Sequence, residues 1–367
     1  MQSRVIMLVD LDYFYAQCEE KRNPVIKDKP VVVCMYSGRT EDSGAVATAN
    51  YVARKYGVKS GIPIFLAKKK LEGVDSVFLP VDFELYERVS DDVMAILKAY
   101  ADRFEQVGID EAYLDVSQKV SGDFDAAREL ALRIKSDLKA HEGITGSIGT
   151  GPNKLIAKIA SDVRKPDGLT VIKPEMVEGF LFSLPVDRLL GVGKKTVEKM
   201  QALGIGTIGD LARFDVQRLV EVFGKSLGTY FHFVASGVDD EPVQERGETE
   251  SISRIATLKE NTREMQAIVK KTDELCEDVH VSLLQREYSF KSVGIYAVLA
   301  DMSVHNRSKT LETPTSDLEV LKGVVRELFE RLLDQSELEV RRVGVRISGF
   351  AQAQKSQKSL TDFIGRP

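Results

Sequence analysis

Three carboxylates carry the clearest chemical pattern in the chain. Asp10 ends the apolar run RVIMLVD (residues 4–10), and Asp110 and Glu111 lie side by side in FEQVGIDEAYLDV (104–116). The first run reads as a short strand buried on both faces that stops abruptly at a charge. The second reads as a hairpin with the acidic pair at its tip. If the two strands pair, rigid backbone brings together hard oxygen donors of the kind magnesium-type cations require. Two such ions about 4 Å apart serve phosphoryl transfer to a sugar hydroxyl, one activating the attacking oxygen and the other neutralising the leaving pyrophosphate. Adjacent residues of a regular strand face opposite sides, so Asp110 and Glu111 converge only if the turn rotates one of them. Taken singly, an Asp at a strand end is more often a turn or cap residue than a ligand.

The flanking sequence predicts the elements that must hold these groups. VVVCMY (31–36) reads as a strand, and GAVATANYVARKYGVKSGIP (44–63) as a helix rich in small residues that stops at glycines and Pro63. After the acidic hairpin, DAARELALRIKSDLKAH has helical spacing, and TGSIGTGPNKLIAKIASDVRKPDG gives strand, turn, helix and loop. This alternation implies an α/β layer around a central sheet. From about Pro174, short helices broken by glycines take over. Residues 237–250, GVDDEPVQERGETE, are polar and acidic and read as a linker. A second α/β module of ordinary domain size follows: strand 252–258, helix 262–285, strands 290–300 and 305–313, helix 316–334, strand 340–349.

Composition bounds the function. The chain has 367 residues, 43% hydrophobic and 29% charged, enough for roughly two to four small domains. No apolar run approaches the ~20 residues of a membrane helix. The start MQSRVIMLVDLDYF lacks a secretory cleavage site, so a cytoplasmic location is expected. Cys18, Cys34 and Cys276 are far apart and in no CxxC spacing, which favours reduced buried thiols over disulfides or a zinc site. The 51 basic against 56 acidic residues, a net charge of −5, argue mildly against nucleic acid. A locally basic groove would reconcile DNA binding with that balance, at modest and salt-sensitive affinity.

DLDYFYAQCEE (10–20), the small-residue segment to Pro63, and GIDEAYLDV (108–116) stand in an order and spacing that resembles the Y-family DNA polymerases. These are the lesion-bypass enzymes, and the match is to the DNA polymerase IV branch in its archaeal form. The resemblance runs over about residues 4–350. It implies that Asp10 and Asp110 are metal-binding aspartates, Glu111 the third acidic residue, and the Leu11 carbonyl a further contact to two Mg2+ ions. Asp12 also matches the DxD pattern, but a structural hydrogen-bonding carboxylate accounts for it equally, and it is not counted as a ligand. Tyr15 resembles the steric gate that collides with a ribose 2′-hydroxyl. Thr48, Tyr51 and Arg54, at three-residue steps near one helical face, match the triphosphate-contacting set, and Lys165 in RKPDG matches its distant lysine. Ala45 and Ala47, with Gly44, resemble the small residues that roof the nascent base pair, a shallow roof that fits low fidelity. Gly108 departs from the family, where serine more often precedes the acidic pair.

LLGVGKKT (189–196) resembles the hairpin of a helix–hairpin–helix motif, in which Gly191 and Gly193 turn backbone N–H groups to a phosphate and Lys194 and Lys195 add charge. In VRRVGVRIS, period-2 alternation puts Val343, Val345 and Ile347 on one face, and Arg342, Gly344, Arg346 and Ser348 on the other, free to track DNA. The acidic linker is a second departure from the family and weakens the expected grip. Gln357, Leu360, Phe363 and Ile364 have the spacing of a sliding-clamp peptide, with Ile364 where an aromatic is usual.

The architecture implied is multidomain α/β (α+β), a right-hand polymerase. It has a ferredoxin-like palm (1–12 and 78–170), fingers (13–77), a helical thumb with the helix–hairpin–helix (171–236), a linker (237–249), an α/β little finger (250–350) and a flexible tail (351–367). The expected activity is template-directed, low-fidelity DNA synthesis across lesions, by a monomer. Its partners would be primer-template DNA, deoxynucleoside triphosphates and a sliding clamp, with no membrane. No further acidic cluster suggests a proofreading exonuclease. A nucleotide cyclase on a related sheet and a non-catalytic DNA-binding scaffold are the alternatives; Tyr15 with the hairpin motif, and the intact carboxylates, count against them.

Overall fold

The structure, a computed structural model, describes residues 4–245, 247 and 249–352. The fold is multidomain α/β, and the chain forms two compact units. One comprises Met1–Cys34, Val46–Ile62 and Leu66–Arg246; the other comprises Met35–Ala45, Pro63–Phe65 and Gly247–Pro367.

At the centre of the first unit is a five-stranded sheet in the order Arg103–Gln106, Glu111–Asp115, Ile6–Leu11, Gly146–Gly151, Leu169–Val171. The last pair is parallel and the others antiparallel. The strand Ile6–Leu11 is central and buried on both faces, as its apolar run predicts. Its odd-numbered residues Met7, Val9 and Leu11 join the core that includes Val93 and Leu97 of the helix Phe83–Ala99, and Ala131 and Ile134 of the helix Phe124–Asp137. Ile6 and Leu8 face the other way, against Tyr113 and against Ala157 of the helix Lys154–Ser161. By the strand's period of two, Asp10 continues this second face. The smallness of the sheet matters here. A Cβ at Gly149 would lie 2.1 Å from the Ala157 carbonyl oxygen, so only glycine lets this helix pack so closely on its strand.

A three-stranded sheet orders Gly44–Ala49, Val31–Tyr36 and Val77–Pro80. The segment from Gly44 is therefore a strand, not the helix that its small residues predict; only Tyr51–Arg54 is helical. Alanine counts as a helix former, but the pairing with Val31–Tyr36 overrides that weak local preference. Short helices between Val177 and Ala235 surround a third core that includes Leu181, Met200, Leu211 and Phe231.

Residues 237–245 are docked rather than free, although composition predicts a linker over 237–249. Val243 is 1% exposed and packs with Ile6, Leu8 and Tyr113. The Asp239 carboxylate accepts the Leu155 N–H at 2.9 Å, and Asn153 donates to the Gly237 carbonyl at 2.8 Å. Lys154 Nζ lies 2.9 Å from both Glu105 and Glu241. Arg4 donates to the Glu241 carbonyl and Lys98 pairs with Glu245. One valine and a set of charge partners pin this acidic strap; no apolar pattern betrays it.

In the second unit the sheet order is Val304–Thr315, Tyr288–Leu299, Val340–Ser348, Ser251–Thr262, all antiparallel. The helices Met265–Leu284 and Leu318–Asp334 cover one face around Phe290, Ile295, Val343 and Phe329. These elements fall close to the bounds the sequence predicts, because Tyr288–Leu299 and Val340–Ser348 alternate over most of their length and each helix carries an apolar stripe. All three cysteines are buried thiols outside any disulfide. Among the described residues no helix is long and apolar enough to cross a membrane. The segment with Gln357, Leu360, Phe363 and Ile364 lies outside the described residues.

Removing one member of a buried ion pair strands the other's charge, at about 3 kcal/mol or more. Lys154→Met is therefore expected to lower the unfolding free energy by roughly 3 kcal/mol in urea titrations, and Glu105→Leu on that background to recover much of the loss. Additive losses would show that Lys154 and Glu105 are not coupled.

Candidate active site

Asp10 and Glu111 are direct partners across the antiparallel strands. Their side chains share the face on which the helix Lys154–Ser161 lies. Asp110 belongs to the turn, not the strand: its carbonyl accepts the Leu11 N–H at 2.8 Å, and Glu111 begins the strand. The turn thus provides the rotation that two adjacent carboxylates need to converge. All three line one cavity of about 490 Å³, together with Leu11, Tyr15, Ala47, Thr48, Tyr51, Arg54 and Lys165. Ala45 does not line it; it bridges to Pro63.

The sequence offers no hint of Lys158. On the helix Lys154–Ser161 it stands one turn beyond Lys154, on the face that meets the sheet. Its ammonium donates to Asp10 Oδ2 at 3.1 Å and to Glu111 Oε2. Lys165 Nζ takes the other Asp10 oxygen at 2.7 Å. Burial pulls both lysines down, but the surrounding carboxylates together, Asp10 first, outweigh it, and both stand above the ordinary lysine value. The Asp110 carboxyl is raised, first by burial and then by Asp10 and Glu111. Like charges crowd here, and a cation relieves the crowding. The described residues include no three His, Cys, Asp or Glu side chains already grouped to hold an ion. The donor chemistry nevertheless fits a hard divalent cation, because two ammonium groups are already drawn onto the carboxylate oxygens of Asp10 and Glu111.

Tyr15 is backed by a rigid aromatic wall. Its ring stacks on Tyr86 with centroids 4.4 Å apart and planes at 11°, and Phe83 meets it edge-on at 6.1 Å. The Tyr86 hydroxyl donates to Glu19 Oε1 at 2.7 Å, which fixes the backing ring. Burial and then Asp110 raise the Tyr15 hydroxyl above its usual range.

Thr48 is the penultimate residue of the strand Gly44–Ala49, while Tyr51 and Arg54 lie on the short helix, so the three share a cavity wall without sharing a helical face. Asn50 makes that junction. Its side-chain oxygen accepts the Ala53 and Val31 N–H groups, at 2.9 and 3.1 Å, and its amide donates to Glu20 and the Lys29 carbonyl, both at 2.8 Å. An Asn just before a helix is an N-cap signal, and here it identifies the residue that turns strand into helix. Arg54 lies 4.6 Å over the Tyr51 ring and donates to the Ala49 carbonyl, which aims its guanidinium. Gly44 is required: at φ +135° a Cβ would come within 2.1 Å of the Met35 carbonyl oxygen. At Gly108 a Cβ would lie 3.2 Å from both Asp110 Oδ1 and Glu111 Cγ, so any side chain there presses on the acidic pair.

Asp12 also borders the cavity, but both its carboxylate oxygens accept bonds from protein donors, Ser147, Thr145 and the Asp167 N–H. Elsewhere, Gly191 has φ +82° and Gly193 precedes the helix Lys194–Ala202, whose first residues Lys194 and Lys195 are exposed. In the second unit, Arg342, Gly344, Arg346 and Ser348 lie on the sheet face opposite the buried Val343, Val345 and Ile347. Their strand partners Thr257, Ile255, Ser253 and Ser251 extend that face.

Residues 9–162 match the impB/mucB/samB family, residues 249–360 its C-terminal domain, and residues 187–239 the thumb domain of DNA polymerase iota. The DNA polymerase IV of Nitrosopumilus maritimus is 47% identical over 99% of this chain and all of its own length. That of Methanosarcina acetivorans is 46% identical at the same coverage. A Y-family DNA polymerase chimera built on Dbh superposes with a TM-score of 0.89 at 36% identity, over 94% of this chain and 98% of its own. An insertion ternary complex of Dbh DNA polymerase superposes with a TM-score of 0.68 at 35% identity over the same shares. Full-length identity, matched domains in the same order and a shared fold agree: the chain belongs to the Y-family DNA polymerases, on their DinB-type, DNA polymerase IV branch.

Proposed function

We propose that this DNA-directed DNA polymerase adds deoxynucleotides to a primer 3′-OH by a two-metal-ion mechanism, with low fidelity, across template lesions and without proofreading. One observation carries the reading: Asp10 and Glu111 are register partners on two paired strands, and Asp110 opens onto the same cavity as Tyr51, Arg54 and Lys165. Two magnesium ions bound there would activate the primer hydroxyl and neutralise the leaving pyrophosphate. Asp10, Asp110, Glu111 and the Leu11 carbonyl would hold them. Arg54, aimed from over the Tyr51 ring, offers the triphosphate a planar fork of donors, and Thr48 and Tyr51 offer hydroxyls. Lys165 and Lys158, which otherwise neutralise the carboxylates, can turn to phosphate oxygens. Tyr15 closes the floor where a ribose hydroxyl would stand, and Ala47 leaves the wall near the base shallow.

Lys194 and Lys195 beside the Gly191–Gly193 turn, and Arg342 and Arg346 on the open sheet face, are the groups proposed to grip primer-template DNA without reading its sequence. The tail residues Gln357, Leu360, Phe363 and Ile364 are proposed to tether this monomer to a sliding clamp.

Primer extension across a defined abasic site, with and without clamp, tests the whole reading. Asp110→Ala is expected to abolish nucleotide addition there; retained activity would exclude the metal role. Because the folded pKa of Asp110 is raised, its ionisation costs stability as pH climbs past about 4, and the cost is present at neutral pH. Without divalent ions, Asp110→Asn is therefore expected to melt higher than the native protein at pH 7 and to lose that advantage below about pH 4. Tyr15→Ala is expected to admit ribonucleotides while deoxynucleotide incorporation survives; unchanged sugar discrimination would count against the gate. Deleting residues 357–367 is expected to remove clamp stimulation and spare basal synthesis, and equal stimulation would refute the tether.

A further inference from the structure

Asp12 belongs to the DxD pattern but takes no place among the converging carboxylates. It is 1% exposed, and a carboxyl group so buried needs its oxygens bonded. Three donors meet it. Ser147 Oγ reaches Oδ1 at 2.8 Å, Thr145 Oγ1 reaches Oδ2 at 3.2 Å, and the backbone N–H of Asp167 reaches Oδ2 at 2.8 Å. With both oxygens engaged by protein donors, Asp12 has little to offer a metal ion.

The third bond is the informative one. Asp167 lies in the loop that carries Lys165, and it sits at φ 52°, a left-handed conformation uncommon for residues with a side chain, though Asp adopts it more readily than most. Here the surroundings hold it. Asp12 holds the Asp167 N–H, and Ser147, itself bonded to Asp12, accepts the next N–H, of Gly168, at 3.2 Å. Lys135 fastens the same loop from outside, donating to the Gly146 and Gly168 carbonyls and pairing with the Asp167 carboxylate. Lysine is a point charge on a flexible stem, so the position of its backbone decides where its ammonium can reach.

We propose that Asp12 is a positioning residue for the triphosphate lysine: by clamping the Lys165–Gly168 loop to the end of the central strand, it sets Lys165 over the cavity. This rests on Lys165 as a triphosphate contact, and the test separates the two. Asp12→Asn keeps the size but turns an amide toward donors that need acceptors. The variant is expected to raise KM for the deoxynucleotide about tenfold while kcat stays within about threefold. Ser147→Ala is expected to move KM in the same direction by less. Because the effect of Asp12 runs through Lys165, Lys165→Ala on the Asp12→Asn background is expected to add little to KM.

Effects of Asp12→Asn and Lys165→Ala that multiply would overturn the proposal. So would an Asp12→Asn variant that loses kcat at saturating nucleotide together with Mn2+ affinity read by electron paramagnetic resonance, which would make Asp12 a ligand. Lys165→Ala with an unchanged KM would sink the triphosphate role of Lys165 itself. If Asp12→Asn melts below the assay temperature, the cycle of Ser147→Ala with Lys165→Ala carries the same comparison.

Discussion

Two carboxylates placed opposite each other on neighbouring strands repel, and the first unit is arranged around bearing that repulsion. Asp10 and Glu111 are locked side by side by backbone bonds that neither side chain can relax. The apolar contacts of Met7, Val9 and Leu11 on one face, and of Ile6 and Leu8 on the other, hold the central strand where it is. The helix Lys154–Ser161 then brings Lys158 to the charged edge, and the loop after it brings Lys165. Packing energy thus sustains an electrostatic tension that the proposed mechanism would use, in keeping with catalysis by preorganised charge.

Local rules made the main outline legible. Alternation in Tyr288–Leu299 and Val340–Ser348 and the apolar stripes of the two helices outlined the second unit, and an apolar run ending in Asp10 marked the central strand. The hairpin at 104–116 was readable for the same reason: two short apolar runs flanking a polar tip have few other ways to fold. What local rules missed came from long-range contacts. Gly44–Ala49 looks helical in composition and becomes a strand because Val31–Tyr36 offers it an edge. Lys158 is one cationic residue among 51, and only the pairing of Asp10 with Glu111 gives it a distinct role. Tyr86, behind Tyr15, is separated from it by the whole of the small three-stranded sheet and so has no signature in spacing.

Asp12 lies between these cases. Sequence leaves it balanced between ligand and structural carboxylate, and the donors around it tip that balance. Residues of one short motif thereby divide their work. Asp10 and Asp12 both border the cavity, but Asp10 meets Lys158 and Lys165 there, while Asp12 bonds the loop that carries Lys165. Tyr13, at φ 36°, turns the chain between the strand and the helix bearing Tyr15. A short segment thus sets the direction of carboxylate, lysine and aromatic wall together.

The docked strap at 237–245 bears on the objection that this chain is too acidic to hold DNA. Glu241 and Glu245 are counted at full value in the net charge of −5, yet each is matched to a lysine on the unit it lies against. Opposite charges a few ångströms apart form dipoles, whose fields fade much faster with distance than that of a single ion. An isoelectric point adds up charges without regard to where they stand. At the scale of a nucleic-acid phosphate, the potential follows the lysines and arginines left facing solvent, and it can be positive on a protein whose total is negative.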